Sequence, residues 1–401
     1  MLNSYIEKIY DNFNSRIKME LSDLIYYIAY FLYLTKMVIT TTMFNEHLGR
    51  IVTVPITLIC LGLLLIKILL LNEYSKKSFI IMGILTLCAG LTYINSSYND
   101  LIFLVLFIIG ANNVNFKNIV KIFLAVRISI LLIAMLSAKL GLIEDIIYIR
   151  EGKIRQSFGS LYPTDFAAGV FFIALAYLYI KSEKLKIRDV IIFVFLGIGV
   201  SYFCDARVDS ICIFGIAIYS LFKVVYNKKE KLKINKFLNV ILSSSMIICT
   251  AFSIIISIIY NNSNKIMLFL NKLLSNRLEL AKKGIDKYGF TLFGQRVDMV
   301  GNGGSTSVNP TEYFFIDSSY LFVALRYGMI ALIIFCILFT IYIKKTIDLG
   351  EITIAFIIMI IAINSIVAHR LLDIAYNPFL LVFFAKISIN TGYDESERQI
   401  I

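Results

Sequence analysis

The sequence contains few of the residues on which metal and cofactor sites depend. Among 401 residues there are 2 histidines and 6 cysteines. The cysteines lie within or at the edges of apolar runs and never at CxxC spacing, which favours buried packing cysteines over disulfides or metal ligands. There is also no DxD, Walker or GxGxxG motif. The sequence therefore predicts no metal site, no nucleotide site and no cofactor.

Charged residues are scarce as well. They make up 16% of the chain, against 59% hydrophobic residues, and the mean hydropathy is +0.80. This composition excludes an ordinary soluble domain. Apolar runs close to the ~20 residues that cross a ~30 Å hydrocarbon core recur along the chain. They predict an all-α integral membrane protein with about twelve transmembrane helices, at 21–42, 51–71, 78–95, 99–113, 117–138, 164–180, 188–203, 208–223, 237–260, 319–343, 351–369 and 371–389.

The distribution of basic residues predicts the orientation. Placing the N-terminus inside gives 21 Lys and Arg on inner segments and 7 on short outer loops, so both termini are expected in the cytoplasm. Residues 1–20 have apolar positions at helical spacing and no signal-peptide core, which predicts a helix lying on the inner membrane surface. The tail at 390–401 is also expected inside. The net charge of +12 is read as this positive-inside bias, so the predicted contact is the lipid bilayer and not nucleic acid.

One long polar interval, residues 261–318, separates two of the predicted spans. At about 58 residues it is far longer than an ordinary connection, and such loops are usually functional or disordered. A helical pattern in NRLELAKKGIDKY (276–288) is followed by a Gly- and Ser-rich stretch at 301–310. We predict a large extracytoplasmic loop containing short helices, which covers a site built by the spans.

Several arginines are candidates for a phosphate or pyrophosphate site. The predicted topology places Arg155 and Arg207 on the same, extracytoplasmic side as the long loop. Arg127 and Arg326 fall inside predicted spans, where a charge costs at least ~2.5 kcal/mol and normally faces a cavity or the bundle interior. A planar guanidinium suits phosphate oxygens better than an ammonium does. The simpler alternatives are a charged flank of a span for Arg155 and an ion pair within its own turn for Arg207.

Acid–base candidates are few. Asp317, Glu312 and Asp373 are the acids that could serve as a base or orient an arginine, and a helix cap is the simpler role of Asp317. His369, at a predicted span boundary, is either a base or an interfacial histidine.

Five segments together resemble a known family. RQSFGSLYPTDFA (155–167), the arginine of the 204–208 turn, NRLELAKKGIDKYGFTLFGQ (276–295), IDSSYLFVALRYG (316–328) and AHRLLDIAYNPFLL (368–381) are similar to the Wzy-type polysaccharide polymerases of bacterial capsule and O-antigen pathways, in the O-antigen ligase-like superfamily. The resemblance extends over most of the chain from about residue 150 and rests on the order and spacing of these motifs. Where the family usually has His and Asn around the first motif, this chain has Tyr162 and Thr164–Asp165.

The resemblance implies a GT-C-like, metal-independent membrane glycosyltransferase in the bacterial cytoplasmic membrane. Its expected substrates are oligosaccharides linked to undecaprenyl pyrophosphate, and a chain-length regulator and a flippase of the same pathway are possible partners. The alternatives are an O-antigen-ligase-type transferase and a flippase for lipid-linked oligosaccharides. The implied site consists of pyrophosphate ligands (Arg155, Arg207, Arg326, Arg127), a catalytic acid or base (Asp317, His369) and glycan-binding or lid residues (Arg277, Tyr288, Gln295, Tyr320, Arg370).

Overall fold

The computed structural model describes the backbone of residues 2–150, 152–226, 235–305, 312–390 and 395–399. The chain is mostly helical, at 71%. In the described ranges the α-helices are α1 (Leu2–Ile39), α2 (Arg50–Ile66), α3 (Lys76–Ser96), α4 (Asp100–Gly110), α5 (Phe116–Lys139), α6 (Pro163–Lys181), α7 (Ile187–Cys204), α8 (Arg207–Tyr226), α9 (Lys236–Ile259), α10 (Lys265–Leu273), α11 (Arg277–Tyr288), α12 (Ser319–Arg326), α13 (Met329–Asp348) and α14 (Ile352–Asn364). Several begin at a side-chain cap, such as Ser75 before α3 and Asn115 before α5.

Two short β-hairpins accompany the helices and were not expected in an all-α protein. Strands β1 (Ile147–Arg150) and β2 (Lys153–Gln156) pair in the loop before α6. Strands β3 (Lys386–Asn390) and β4 (Glu395–Gln399) pair near the C-terminus.

Eight helices in the described part of the chain are long and apolar enough to cross a membrane. They are α2 with its π-helical extension (Arg50–Leu71), α3, α5, α6, α7, α8, α9 and α13. Large apolar side chains on their outer faces are exposed, for example Ile51 at 90% and Phe195 at 69%. Exposed apolar surface on this scale is expected where lipid replaces water around a helix bundle. The chain is therefore a multi-pass helical membrane protein.

The first predicted boundary, at residue 20, is not a break in the structure. Helix α1 runs from Leu2 to Ile39 as one element of 38 residues, where the sequence predicted a surface helix followed by a separate span. Two other apolar helices are short. With 11 and 13 residues, α4 and α14 measure roughly 16 and 20 Å at 1.5 Å per residue.

The predicted single span at 319–343 is two helices. Helix α12 ends at Arg326 and α13 begins at Met329, and between them Gly328 has φ 95°. A Cβ at Gly328 would lie 2.4 Å from the carbonyl oxygen of Leu292, so the long loop packs directly on the break. Carbonyls of the loop also accept hydrogen bonds from the first N–H groups of α13. The N–H of Met329, for example, donates to the carbonyl of Thr291 at 2.9 Å. The break depends on this tertiary contact, which the local apolar pattern cannot reveal.

The predicted twelfth helix at 371–389 is also absent. The chain instead forms a 3₁₀ helix, Pro378–Phe383, and then strand β3. Pro378 disfavours helix in the residue before it, and Asn377 caps the 3₁₀ turn by accepting from the N–H of Phe379. Residues from Tyr376 to Ala385 are almost entirely buried. Non-helical backbone is tolerated at membrane depth only inside protein, and this segment meets that condition.

The connections collect at two ends of the helix bundle. At one end, which we call the loop end, the turn after α1 pairs with the loop before α6 through a bridge between Thr42 and Ser160. At the opposite end, the N–H of Lys386 donates to the carbonyl of Val114 at 2.8 Å. The hairpin β1–β2, the turn after α7 and the described parts of the long loop all lie at the loop end. The structure thus groups together the loops that the sequence placed on one side.

Candidate functional site

A small cavity of about 50 Å³ lies at the loop end between the hairpin β1–β2, the starts of α6 and α8, the α10–α11 corner and the segment after α14. It is lined by five arginines, Arg150, Arg155, Arg207, Arg277 and Arg370, and by three acids, Asp205, Asp209 and Asp317. We call it the arginine cavity. The excess of guanidinium over carboxylate groups suits an anionic ligand.

Arg155 is the most deeply buried of these arginines, at 1% exposure. Strand β2 positions it, and Tyr148 opposite it in β1 fixes the register. Its Nε donates to the carbonyl of Cys204 at 2.8 Å, its Nη1 donates to the hydroxyl of Tyr162 at 3.1 Å, and its buried Nη2 finds no acceptor among the described residues. A buried N–H without an acceptor costs ~1–3 kcal/mol. A ligand oxygen in the cavity would remove that cost.

Asp205 connects the hairpin β1–β2 to the start of α8 on one side of the arginine cavity, which we call its outer wall. This residue has φ 46° and ends α7, so that its carboxylate turns toward the hairpin. It pairs closely with Arg150, and Lys153 and Arg207 each approach it to 3.7 Å. Burial alone would raise the pKa of Asp205, but the hydrogen bond and charge of Arg150, followed by Arg207 and Lys153, lower it overall. Since Arg207 keeps a side-chain exposure of 44%, its guanidinium is free to turn toward a ligand.

Asp165, in the first turn of α6, organises the inner wall. It forms an ion pair with Arg370 and accepts a hydrogen bond from the hydroxyl of Tyr376 at 3.2 Å. The guanidiniums of Arg370 and Arg127 each lie 4.2 Å from the centre of the Tyr376 ring. These contacts fix the orientation of Arg370 beneath the cavity.

Arg127 itself lies behind this wall and not in the arginine cavity. Its Nη1 donates to the hydroxyl of Thr41 at 3.1 Å, and its guanidinium packs so closely on Gly169 that a Cβ there would lie 2.8 Å from Nη2. The sequence predicted a pyrophosphate ligand at this position. The observed contacts make Arg127 a support for Tyr376 and the start of α6.

His369, Arg370 and Asp317 meet at the floor of the cavity. Nη1 of Arg370 lies 3.0 Å from Nε2 of His369, and Nδ1 of His369 lies 3.9 Å from Asp317. Because a guanidinium only donates, Nε2 is assigned as the acceptor and the ring proton as residing on Nδ1, facing Asp317. Asp317 in turn accepts from Nε of Arg277 at 3.1 Å. Burial and then the charges of Arg370, Arg277 and Arg326 hold the pKa of His369 well below its ordinary value, so the imidazole is neutral near pH 7.

Arg326 lines a different space. A larger cavity of about 700 Å³ lies beside the first, and Arg326 and His369 both border it. Arg326 pairs with Asp100 at 2.9 Å and stacks on the ring of Tyr98, whose centre is 3.5 Å away. Asp317, which the sequence offered as an acid that could orient an arginine, pairs with Arg277. The residues that contact Arg326 come from the turn after α3 and the start of α4, far from it in sequence.

Three residues predicted to bind glycan or to form a lid line neither cavity. Tyr288 and Gln295 hold the loop together, since the Tyr288 hydroxyl contacts the backbone of Asp298 and Gln295 Nε2 donates to the Gly289 carbonyl at 2.9 Å. Tyr320 is fully buried and donates to the carbonyl of Ala362 at 2.7 Å.

Some residues of the site were missed at the sequence level. Arg150 belongs to the same basic segment as Arg155 and could have been found from that cluster. Asp165 and Tyr376 are far apart in sequence, and no local signal joins either of them to Arg370. Among the described residues, no three His, Cys, Asp or Glu side chains are grouped as metal ligands would be.

The fold and the site define a multi-pass helical membrane protein with a cationic cavity at its loop end. The chain matches no protein-family model, and comparisons with curated proteins and with solved structures likewise found no match.

Proposed function

We propose that this protein is a polysaccharide polymerase of the bacterial cytoplasmic membrane. It would join oligosaccharide repeat units carried on undecaprenyl pyrophosphate into capsular or O-antigen chains at the outer face of that membrane. The observation that carries the proposal is the placement of five arginines around one cavity with the neutral imidazole of His369 at its edge. Such a site offers charge for a pyrophosphate and a base for a hydroxyl, with arginines instead of a metal neutralising the phosphates.

The proposed architecture is GT-C-like with twelve crossings and both termini in the cytoplasm. Eight crossings are the long apolar helices. Helix α1, the short helices α4 and α14, and the buried non-helical segment that ends at β3 would supply the other four. This arrangement places the arginine cavity and the long loop outside the cell.

In this proposal the donor pyrophosphate occupies the arginine cavity. Nη2 of Arg155, which has no acceptor among the described residues, and the exposed guanidinium of Arg207 would donate to its phosphate oxygens, and the ion-paired Arg277 would border it. At about 50 Å³ the cavity is smaller than the ~300–1,000 Å³ of ordinary ligand pockets. Entry would therefore require outward movement of the roof formed by Leu273, Leu274 and Ser275, which is the lid function we assign to the long loop.

The proposed reaction is a single displacement at the donor sugar. A hydroxyl oxygen of the acceptor forms a bond to the anomeric carbon, the bond from that carbon to the phosphate oxygen breaks, and the pyrophosphate leaves with the electron pair. The hydroxyl proton passes to Nε2 of His369, and Asp317 stabilises the resulting imidazolium from the Nδ1 side. In the structure Nε2 accepts from Nη1 of Arg370. Phosphate oxygens of the donor would accept that hydrogen bond from Arg370 in place of His369. Donor binding would thereby leave Nε2 of His369 available to accept the hydroxyl proton.

Deletion of the gene in the producing cells tests the proposal. A polymerase predicts loss of long glycan chains with single repeat units retained on their lipid carrier at the outer face. Restoration by the wild-type gene but not by Arg155→Lys would tie the loss to the arginine cavity. Repeat units trapped on the cytoplasmic face would instead identify a flippase. Long chains that form but are not passed to their final acceptor would identify a ligase-type enzyme.

A further inference from the structure

The larger cavity beside the arginine cavity has no role in donor binding as described so far. We call it the second cavity. It lies at the loop end and is bordered by the turn after α3, a part of the long loop, α12 and the turn after α14. Its volume of about 700 Å³ is within the ~300–1,000 Å³ typical of small-molecule sites. Its lining includes Arg296, Arg326, Asp298, Asp373, Phe315, Phe322 and His369.

The charges of the second cavity balance, unlike those of the arginine cavity. Two arginines, Arg296 and Arg326, face two acids, Asp298 and Asp373. Arg296 pairs with Asp298 at 3.0 Å, and Arg326 is already neutralised by Asp100. Among the described residues, both arginines of this cavity therefore already pair with a carboxylate, although Nε of Arg326 has no acceptor. The charge pattern favours an uncharged ligand.

The polar and aromatic groups suit a ligand rich in hydroxyls. Phe315 and Phe322 present aromatic surface, against which the C–H faces of a sugar ring can pack. Carboxylates accept hydrogen bonds from sugar hydroxyls, and Asp373 is held in place for this by the N–H of Ala375 at 2.9 Å.

His369 connects the two cavities. Its ring centre lies 4.8 Å from that of Phe315 and 5.7 Å from that of Phe322, on the side of the second cavity. Its Nε2 meets Arg370, which lines the arginine cavity. One imidazole thus borders the space that suits pyrophosphate and the space that suits a neutral polyol.

We propose that the second cavity is the acceptor site. It binds the uncharged sugar residues of the incoming repeat unit and directs one of their hydroxyls toward His369, while the donor pyrophosphate is held in the arginine cavity. This inference rests on the proposed function. Phe315 supplies a stacking surface, and Asp373 and Asp298 accept hydrogen bonds from hydroxyls of the acceptor. His369, which borders both cavities, would lie where the acceptor hydroxyl meets the donor sugar.

Cysteine protection in the purified full-length protein tests the assignment. All 6 native cysteines are buried, so background labelling by a polar maleimide is expected to be low. Met299→Cys reports on the second cavity and Ser275→Cys on the arginine cavity. Asp286→Cys, on α11 at 59% side-chain exposure and in neither cavity, is the matched control. The two probes are inorganic pyrophosphate and the repeat-unit oligosaccharide released from its lipid carrier by mild acid.

The oligosaccharide is expected to slow labelling of Met299→Cys at least five-fold and to leave Ser275→Cys and Asp286→Cys unchanged. Pyrophosphate is expected to protect Ser275→Cys alone. Absence of oligosaccharide protection at Met299→Cys, or its appearance at Ser275→Cys, overturns the acceptor assignment while leaving the donor site intact. Failure of pyrophosphate to protect Ser275→Cys overturns the pyrophosphate site, and with it the proposed function.

A kinetic measurement supplies the second readout. In Asp298→Asn and Asp373→Asn, the KM for the delipidated acceptor is expected to rise about ten-fold, with the KM for the lipid-linked donor unchanged. Asp286→Asn, which changes another exposed carboxylate of the long loop that lines neither cavity, should leave both values unchanged. An increase in donor KM with constant acceptor KM in both cavity variants would contradict the assignment.

Discussion

Nε2 of His369 accepts a hydrogen bond from the guanidinium of Arg370, its neighbour in sequence, at 3.0 Å. The same guanidinium pairs with Asp165, which is 205 residues away in the chain. Arg370 therefore links the start of α6 to the one histidine that borders both cavities. A ligand that competes for Arg370 changes the availability of Nε2, which makes the coupling between charge binding and base function testable.

The fork geometry of Arg155 gives the first prediction. Arg155→Lys keeps the positive charge. It loses the hydrogen bonds to the Cys204 carbonyl and the Tyr162 hydroxyl, and it also loses Nη2, which has no acceptor among the described residues. A hydrogen bond to a charged group contributes ~1.5–3 kcal/mol, so kcat/KM for polymerisation should fall by roughly ten- to a hundred-fold. The measurement is chain formation in membranes that contain equal amounts of each protein. Arg188→Lys, at an exposed site paired with Asp189, is the control and should polymerise normally. Full activity of Arg155→Lys would reject the pyrophosphate clamp.

The second prediction concerns pH. The pKa of His369 is held well below 6.5 by burial and by the arginines around it, so the imidazole is already unprotonated at neutral pH. The polymerisation rate should be flat near neutrality and fall as the pH drops through a value below 6.5, where Nε2 becomes protonated. His369→Gln should slow polymerisation by about 10²–10⁴-fold and remove this acidic limb. A limb that persists unchanged in His369→Gln would assign the base to another group.

The same lowered pKa has a consequence for stability. The unfolded chain takes up a proton on this histidine at higher pH than the folded chain does, so stability rises with pH across that interval. Acidification below the ordinary histidine pKa of ~6.5 should therefore lower the thermal unfolding temperature. His369→Gln should show a smaller decrease over the same pH interval.

The third prediction compares two adjacent glycines of the long loop. Both belong to the Gly- and Ser-rich stretch of the sequence, and the structure anchors one of them to the loop before α6. Gly304 has φ 78° and its N–H donates to the carbonyl of Leu161 at 2.9 Å, whereas a Cβ on Gly303 would approach Leu161 no closer than 3.8 Å. Gly304→Pro loses both the positive φ and the donor, and should reduce polymer output several-fold with normal membrane abundance. Gly303→Ala should behave like the wild type. Equal chain lengths in both variants would show that the segment is a spacer.

The sequence predicted the class of fold well, because the length of an apolar run is a one-dimensional property. The prediction of individual spans failed where apolar segments contact other parts of the protein instead of lipid. The segment 371–389 is as apolar as a span because protein surrounds it, and hydropathy cannot distinguish burial in protein from contact with lipid. The break at Gly328 depends on close contact with the backbone of the long loop, which would lie 2.4 Å from a Cβ at this position. Local periodicity cannot reveal such a contact.

The candidate site was partly predictable from the order of the spans along the chain. Arg155, Arg207, Arg277 and Arg370 could be assigned to one side from topology, and the structure does bring them to one cavity. Depth in a predicted span did not identify residues of the arginine cavity, since Arg127 is buried and Arg326 half-buried, yet they contact Tyr376 and Tyr98 respectively. The second cavity is assembled from four separate segments, and no spacing rule could have indicated it.

The last prediction tests which end of the bundle faces out. The proposed function requires the loop end to be extracytoplasmic, since lipid-linked repeat units are joined at the outer face. Gly303 is exposed at the loop end, and Lys184 lies in an exposed turn between α6 and α7 at the opposite end, so each is replaced by cysteine in turn. The buried native cysteines should contribute little signal. An impermeant maleimide applied to intact cells should label Gly303→Cys strongly and Lys184→Cys only after the membrane is opened. Reversed labelling would place both cavities in the cytoplasm, where neither the donor nor the acceptor that we propose could reach them.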